Sequence, residues 1–231
     1  MPPENLVISE IFGPTFQGEG PALGHRCGFV RLGRCNLACQ WCDSKYTWDW
    51  SQYDASVELT EMTVDQVVAR LSTMAVDTVV VTGGEPLLQQ RRLVALFKTF
   101  RRLRWNAHIE TAGTIAWEDD PSLIDQWVVS PKLANSGMTA RRRLRYDVLS
   151  RFAELGAAFK FVVVSIDDFD EIDAITRRAG IAPTQVWVMA EGTDARTVAR
   201  RTSQLANGAL ARGWNMTTRL HVLAWGDKRG R

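Results

Sequence analysis

The sequence predicts an α/β fold, a parallel sheet covered by helices, and three observations carry that expectation. Continuous apolar runs rich in valine alternate with amphipathic helical stretches, the pattern of strands buried on both faces by crossover helices. The unusual residues sit at the C-terminal ends of those runs: a three-cysteine loop after Gly33, the turn Gly83-Gly84-Glu85-Pro86, residues 110–114 and Ser130-Pro131-Lys132. Active sites of such folds gather on that rim. The chain has 231 residues, 45% hydrophobic and 23% charged, which suits one core, and no repeat or linker divides it. The alternation alone leaves both a doubly wound sheet and a barrel open.

Residues 6–12 alternate and include β-branched side chains, so they read as a first strand that Gly13-Pro14 breaks. Residues 15–21 hold too many glycines for a strand interior and read as a loop whose backbone approaches a partner closely. Residues 28–32 form the strand that feeds the cysteine loop, and Trp48 and Trp50 beyond it read as ordinary packing. Thr63 starts a helix with Val64, Val67, Val68 and Leu71 on its apolar face. A buried strand at 77–82 ends in the glycine turn, and a helix follows at 88–103. The unit then recurs, with strands at 106–110, 126–130, 159–164 and 185–189 and helices at 146–155, 169–178 and 194–211. Residues 214–231 read as a C-terminal tail.

Cys35, Cys39 and Cys42 follow C-x3-C-x2-C spacing directly after a strand. Thiolate suits iron, and three thiolates on a four-iron cubane leave one iron open, whereas four protein ligands close a site. A zinc knuckle usually takes four ligands in paired spacing, and His25 lies upstream with no partner spacing. Cys27, at the head of the strand, reads as a small core residue. Free thiols suit a reducing compartment. Residues 1–5 lack the basic start and apolar core of a signal peptide, and no run approaches a membrane span. The expectation is therefore a cytoplasmic protein with no membrane partner. A net charge of +2 is too mild to imply nucleic acid. The runs Arg101-Arg102-Arg104 and Arg141-Arg142-Arg143-Arg145 read as solvated faces, with docking of an acidic electron donor as the second reading.

The spacing, with Trp41 as the aromatic residue before the third cysteine, resembles the radical S-adenosylmethionine (SAM) superfamily. In that superfamily the amino and carboxylate groups of SAM bind the open iron. The resemblance implies a partial, TIM-like βα barrel forming a single domain over 1–231, with a substrate-binding strand and loop at 6–26 and the tail at 214–231. It implies a 4Fe–4S cluster on Cys35, Cys39 and Cys42 that passes an electron into SAM, giving methionine and a 5′-deoxyadenosyl radical; iron–sulfur potentials reach down to about −700 mV. The cofactor contacts it implies are Trp41, Cys42, Asp43, Gly83, Gly84, Glu85, Ser130, Pro131 and Lys132, the last near the SAM carboxylate.

A closer resemblance covers the first 132 residues. Phe16-Gln17-Gly18-Glu19-Gly20, Arg31, Cys42-Asp43-Ser44, Thr82-Gly83-Gly84-Glu85-Pro86, Glu110-Thr111-Ala112-Gly113-Thr114 and Ser130-Pro131-Lys132 occur in that order, with a looser match at 225–230. Together they resemble the 7-carboxy-7-deazaguanine synthase family. The resemblance implies a pterin substrate, 6-carboxy-5,6,7,8-tetrahydropterin, hydrogen abstraction at C6, ring contraction and loss of ammonia. Phe16, Gln17, Gly18, Glu19, Arg31 and Thr82 would contact the substrate, and their chemistry agrees. The Arg31 fork can grip a carboxylate, Glu19 can accept paired N–H donors, and Gln17 offers both a donor and an acceptor. SAM carries the radical, so no catalytic side chain is named. The family holds Mg2+ at the residue after Cys-Asp, usually threonine; here Ser44 keeps the hydroxyl, suitable for a hard cation, without the methyl. The resemblance also implies a flavodoxin- or ferredoxin-like electron donor and, by analogy, a homodimer. Lys160 reads as a snorkelling side chain outside the site. The competing readings are a glycyl-radical activating enzyme, which shares the loop and turn, and an iron–sulfur electron-transfer protein, which needs a fourth ligand.

Overall fold

The computed structural model describes residues 5–230; residues 1–4, part of the reading against a leader, lie outside the described residues. The chain runs β1 (Leu6–Phe16), β2 (Arg26–Leu32), α1 (Ala55–Glu58), β3 (Thr60–Met62), α2 (Val64–Ser72), β4 (Thr78–Gly83), α3 (Gln90–Leu103) and β5 (Asn106–Thr111). It continues through β6 (Gln126–Val129), α4 (Ala140–Arg143), α5 (Tyr146–Glu154), β7 (Ala158–Val163), α6 (Asp168–Ala179), β8 (Val186–Ala190), α7 (Ala195–Ala211), β9 (Asn215–Thr217) and α8 (Leu220–Trp225). Among the described residues, no helix is long and apolar enough to cross a membrane.

Local chemistry sets the element ends. At α2, Thr63 Oγ1 accepts from the Gln66 N–H at 3.2 Å and Gln66 Oε1 accepts from the Thr63 N–H at 2.9 Å, so two otherwise orphaned donors are satisfied reciprocally. Asp194 caps α7 by accepting from the Thr197 N–H, and α6 stops at Gly180 in the left-handed region. One expected break is absent: β1 passes through Gly13 and Pro14 to Phe16. The register against β2 shifts between Phe12 and Thr15, and such a bulge accommodates a proline that cannot donate to the ladder. The region read as a tail contains β9 and α8.

Among the described residues, nine strands lie in the order β3-β1-β2-β4-β5-β6-β7-β8-β9. From β2 onward neighbours are parallel, and β1 and β3 add an antiparallel edge. Alternation assigns the faces. Val79 and Val81, Ala107 and Ile109, and Phe159, Phe161 and Val163 join the core with Leu93, Leu96, Phe97 and Phe100 of α3 and Phe169 and Ile172 of α6. The intervening residues Arg31, Thr82, Glu110 and Lys160 face inward, onto a cavity.

The sheet curls around that cavity. Glu19, just past β1, reaches Lys160 on β7 at 2.5 Å, although β2, β4, β5 and β6 lie between them in the sheet. The barrel is incomplete, because among the described residues no ladder joins its outer strands. Instead the Gly20 N–H donates to Thr217 Oγ1 at 2.9 Å and the Leu220 N–H donates to the Gly18 carbonyl at 2.8 Å, so a polar clasp bridges the opening.

Candidate active site

The cavity, of about 470 Å³, opens at the C-terminal ends of the parallel strands. One end belongs to the cysteine loop. Cys35, Cys39 and Cys42 gather with Leu37, Ala112 and Met138 in one small cluster and line the cavity. All three are free thiols. Burial pushes the Cys35 thiol up to about 12 and raises Cys39 as well, so either of the two would give up its proton on binding a metal, as thiolate ligation requires. The Cys42 sulfur accepts from the Trp48 indole N–H at 3.4 Å, the kind of outer-shell hydrogen bond that tunes a ligating sulfur. Cys27 is turned elsewhere, packed with Phe29, Val80 and Phe12.

Among the described residues, no three His, Cys, Asp or Glu side chains close around a single ion. A cubane asks for something different, one thiolate for each of three irons at separate corners. The donor set fits that group: three free thiols on one wall, faced by glycine backbone. Gly83 has φ +145, and a Cβ there would lie 2.3 Å from the Leu32 carbonyl oxygen. A Cβ on Gly84 would lie 2.1 Å from the Arg34 carbonyl oxygen and 2.9 Å from Cys35 Cβ. Only glycine lets the turn press against the cysteine loop this closely.

Other expected cofactor contacts divide. Trp41, Asp43, Ser130 and Lys132 line the cavity with the two glycines; Lys132 Nζ lies 3.0 Å from Ser130 Oγ and 5.8 Å from the centre of the Trp41 ring. Glu85 and Pro131 are buried away from it. The Glu85 carboxylate accepts from the Leu87 N–H at 3.0 Å, Thr111 Oγ1 at 2.7 Å and the Ala112 N–H at 2.8 Å. Burial raises its pKa against the pull of those bonds. The Glu85 side chain therefore fastens the turn to β5 from behind, a correction to its expected place on the cofactor wall.

The opposite end is ionic. Glu19 Oε2 takes Lys160 Nζ at 2.5 Å and Glu19 Oε1 takes Arg219 Nε at 3.0 Å, with His221 Nε2 at 3.9 Å. Burial alone would raise the Glu19 carboxyl, but Lys160, Arg219 and His221 hold it well below the usual carboxylate range. Burial would likewise lower Lys160, and Glu110 and Glu19 together drive it up. Glu110 Oε1 accepts from Lys160 at 3.3 Å and from Gln17 Nε2 at 3.1 Å, while its Oε2 accepts from Thr82 Oγ1 at 3.2 Å. Arg219 also donates to Asp43 and to the Gly192 carbonyl, tying this end to the cysteine loop.

Arg31 lines the cavity between the two ends. Its Nε donates to Glu10 Oε2 at 3.0 Å, and Glu10 also accepts from Tyr46 Oη at 3.0 Å and from Arg229. Among the described residues, Nε is the one Arg31 atom with a hydrogen-bond partner, and the guanidinium carbon lies 5.6 Å from the centre of the Phe12 ring. Ser44 is buried on the same wall with Oγ 3.7 Å from Cys42 Sγ. Gly18 sits under His221, and Phe16 stacks on Trp225 at the rim, ring centroids 6.2 Å apart. Sequence reasoning missed Lys160, Arg219 and His221 as cavity residues, and it placed Glu110 and Arg229 within matched stretches, 110–114 and 225–230, without giving either a role. Lys160 had a signal, since a lysine at an inward position of the apolar strand 158–163 needs buried partners. Arg219 and His221 had none.

The comparisons with known proteins agree with this geometry. A family model described as a 4Fe-4S single cluster domain matches residues 16–130. The 7-carboxy-7-deazaguanine synthase of Pyrobaculum aerophilum is 36% identical over 97% of this chain and 96% of its own length, and that of Bacillus subtilis is 29% identical over 98% and 99%. The crystal structure of QueE from Escherichia coli superposes with a TM-score of 0.73 over 94% of this chain and 95% of that one, at 24% identity, and shares the fold. Cysteine loop, glycine turn and near-full-length relatives lead to one conclusion: the chain belongs to the 7-carboxy-7-deazaguanine synthase family of radical SAM enzymes, which work with a 4Fe–4S cluster and SAM.

Proposed function

We propose that this chain converts 6-carboxy-5,6,7,8-tetrahydropterin to 7-carboxy-7-deazaguanine, with Cys35, Cys39 and Cys42 holding the cluster and Gly83, Gly84 and Lys132 receiving SAM. When bound, cluster and SAM supply a one-electron cleavage that delivers a 5′-deoxyadenosyl radical. The protein's residues position and enclose. The observation that carries the reading is the ionic end of the cavity, where Glu19 and Glu110 sit as charged acceptors either side of Lys160. A pterin edge presents adjacent N–H donors, and a carboxylate accepts such a pair. Arg31 offers its terminal amino groups to the substrate carboxylate while Glu10 fixes its Nε. The glycyl-radical alternative acts on a polypeptide, and these buried charges suit a small polar ligand instead.

Within the same proposal, the Ser44 hydroxyl would hold Mg2+, a hard cation that oxygen ligands suit. A flavodoxin- or ferredoxin-like protein supplies the electron, the chain works in the cytoplasm, and two copies associate; sedimentation at micromolar concentration checks the last point.

Arg31→Ala tests the reading. Cluster and SAM lie on other residues, so 5′-deoxyadenosine formation continues, while substrate loses a charge-assisted partner. That bond is worth about 1.5–3 kcal/mol, so substrate affinity drops roughly ten- to a hundredfold, and misplacement of C6 lowers yield further. Product and 5′-deoxyadenosine are quantified side by side. Wild-type affinity and yield in Arg31→Ala would remove this arginine from the carboxylate and leave the substrate assignment without its cation.

A further inference from the structure

Trp41 stands immediately before Cys42, and its ring is set from outside the cysteine loop. An indole N–H that leaves water takes an acceptor, and Trp41 Nε1 finds two on a single residue, donating to the Asn135 carbonyl at 3.0 Å and to Asn135 Oδ1 at 3.1 Å. Asn135 lies in the loop after β6, shortly beyond Lys132. Its own amide is fully committed. Asn135 Nδ2 donates to the Val162 carbonyl on β7 at 3.1 Å and to Asp168 Oδ2 at the start of α6 at 2.8 Å. That carboxylate oxygen also accepts from the Val164 N–H at 2.8 Å and the Ser165 N–H at 3.3 Å. With Nδ2 facing two acceptors and Oδ1 facing a donor, the amide can sit only one way round.

Docking of this loop on the cysteine loop is carried by other bonds. The Gln40 N–H donates to the Ser136 carbonyl at 3.0 Å and Gln40 Nε2 donates to the Asn135 carbonyl at 2.8 Å, and neither bond involves the Asn135 side chain. That side chain faces the indole. The ring so held carries Lys132 Nζ at 5.8 Å from its centre. A cation over an aromatic face is attracted by the ring quadrupole, so the tilt of the indole bears on where the ammonium rests.

We propose that Asn135 is a positioning residue for SAM: it acts through the Trp41 indole N–H, with Asp168 behind it, and holds the aromatic wall and Lys132 in the arrangement that receives the cofactor. The inference rests on the reading above that SAM meets the glycine turn and Lys132. It gives a task to a residue that does not itself line the cavity. The physical gain is preorganisation. A wall whose side chains are already locked by hydrogen bonds gives up less rotamer freedom when it takes a ligand. The competing account is that Asn135 only fastens its loop to α6, and in that case its worth does not depend on the indole N–H.

Equilibrium dialysis of labelled SAM against the cluster-loaded protein gives the test, with iron content and urea unfolding of each variant measured beside it. Asn135→Ala removes the amide, and Trp41→Phe keeps an aromatic ring without the N–H. Asn135→Ala is expected to weaken SAM binding about two- to tenfold, the worth of one neutral hydrogen bond, and Trp41→Phe at least as much, with iron content unchanged. In the Trp41→Phe background, Asn135→Ala should leave Kd where Trp41→Phe alone puts it, because two changes to one interaction do not add. Asp168→Ala, which removes the far end of the chain, should follow Asn135→Ala in both backgrounds. Wild-type affinity in Asn135→Ala, or equal weakening with and without the indole N–H, overturns the proposal. If Asn135→Ala takes up less iron, Asp168→Ala decides by the same cycle, and loss of iron in both would show that the pair holds the loop itself and overturn the proposal too. A loaded wild-type protein that binds no SAM would instead refute the placement of the cofactor on which the inference rests.

Discussion

The two ends of the cavity are built by different means. The cofactor end is made of thiols and backbone from segments that touch, with Gly84 pressed on the Arg34 carbonyl and Cys35. The ionic end, proposed above to take substrate, is made of side-chain charges from segments far apart in the chain, with Glu19 bound to Lys160 and to Arg219, two hundred positions away. Close backbone contact tolerates no added atom, whereas a charge network can lose a member and partly compensate. Perturbation should therefore fall all-or-none at one end and graded at the other.

The largest effect is expected from Cys35→Ala, Cys39→Ala or Cys42→Ala, each of which should abolish both bound iron and SAM cleavage, while Cys27→Ala keeps its iron. Iron content and 5′-deoxyadenosine formation report this; full iron in any of the first three would break the assignment. Gly84→Ala comes next. Its Cβ meets backbone that cannot swing away, so about 1–3 kcal/mol of stability goes and SAM cleavage collapses with it. A variant that unfolds like wild type and still cleaves SAM would show that the turn has slack.

Lys160→Met should be graded. Removing one partner of a buried pair costs about 3–5 kcal/mol, yet 5′-deoxyadenosine still forms in the folded fraction while substrate binding fails. The pH dependence of unfolding sharpens this. Glu19 is held below its ordinary 4.5, so its contribution is full above that value and lost as pH falls towards the folded pKa. Lys160 is raised above 10.5, so its contribution is full below that value and lost as pH climbs beyond it. The wild-type plateau spans the interval between. Without Lys160 the burial of Glu19 is less well opposed, and the acid limb should move to higher pH in urea melts; an unmoved limb would mean that Arg219 alone keeps Glu19 charged. The smallest effect is expected at Ser44→Ala: a weaker rise of turnover with Mg2+ and nearly unchanged SAM cleavage. A Mg2+ response identical to wild type would remove Ser44 from the metal.

Legibility followed the same division. Cys35, Cys39, Cys42, Gly83 and Gly84 announce themselves because short-range spacing and glycine geometry are local properties of a chain. The βα alternation was legible for the same reason, since each buried strand is a contiguous apolar run. Arg219 and His221 were not legible, because nothing near them in sequence says that β9 ends beside Gly18 and Gly20. Glu85 misled in the opposite direction: the motif marked it as a cofactor contact, while three donors from β5 and its own turn claim its carboxylate. The short β9 and α8 were hidden inside a stretch without periodicity, although they bring cations to the substrate end.

The polar clasp between residues 18–20 and 217–220 also sets an order of assembly. The cysteine loop and glycine turn can meet once β4 has formed, when fewer than ninety residues have emerged from the ribosome. Glu19 must wait for β7 to receive Lys160 and for β9 to pass before Arg219 arrives. A nascent chain halted after residue 212 would thus display a thiol loop in place beside a buried carboxylate that still lacks one of its two strongest cations.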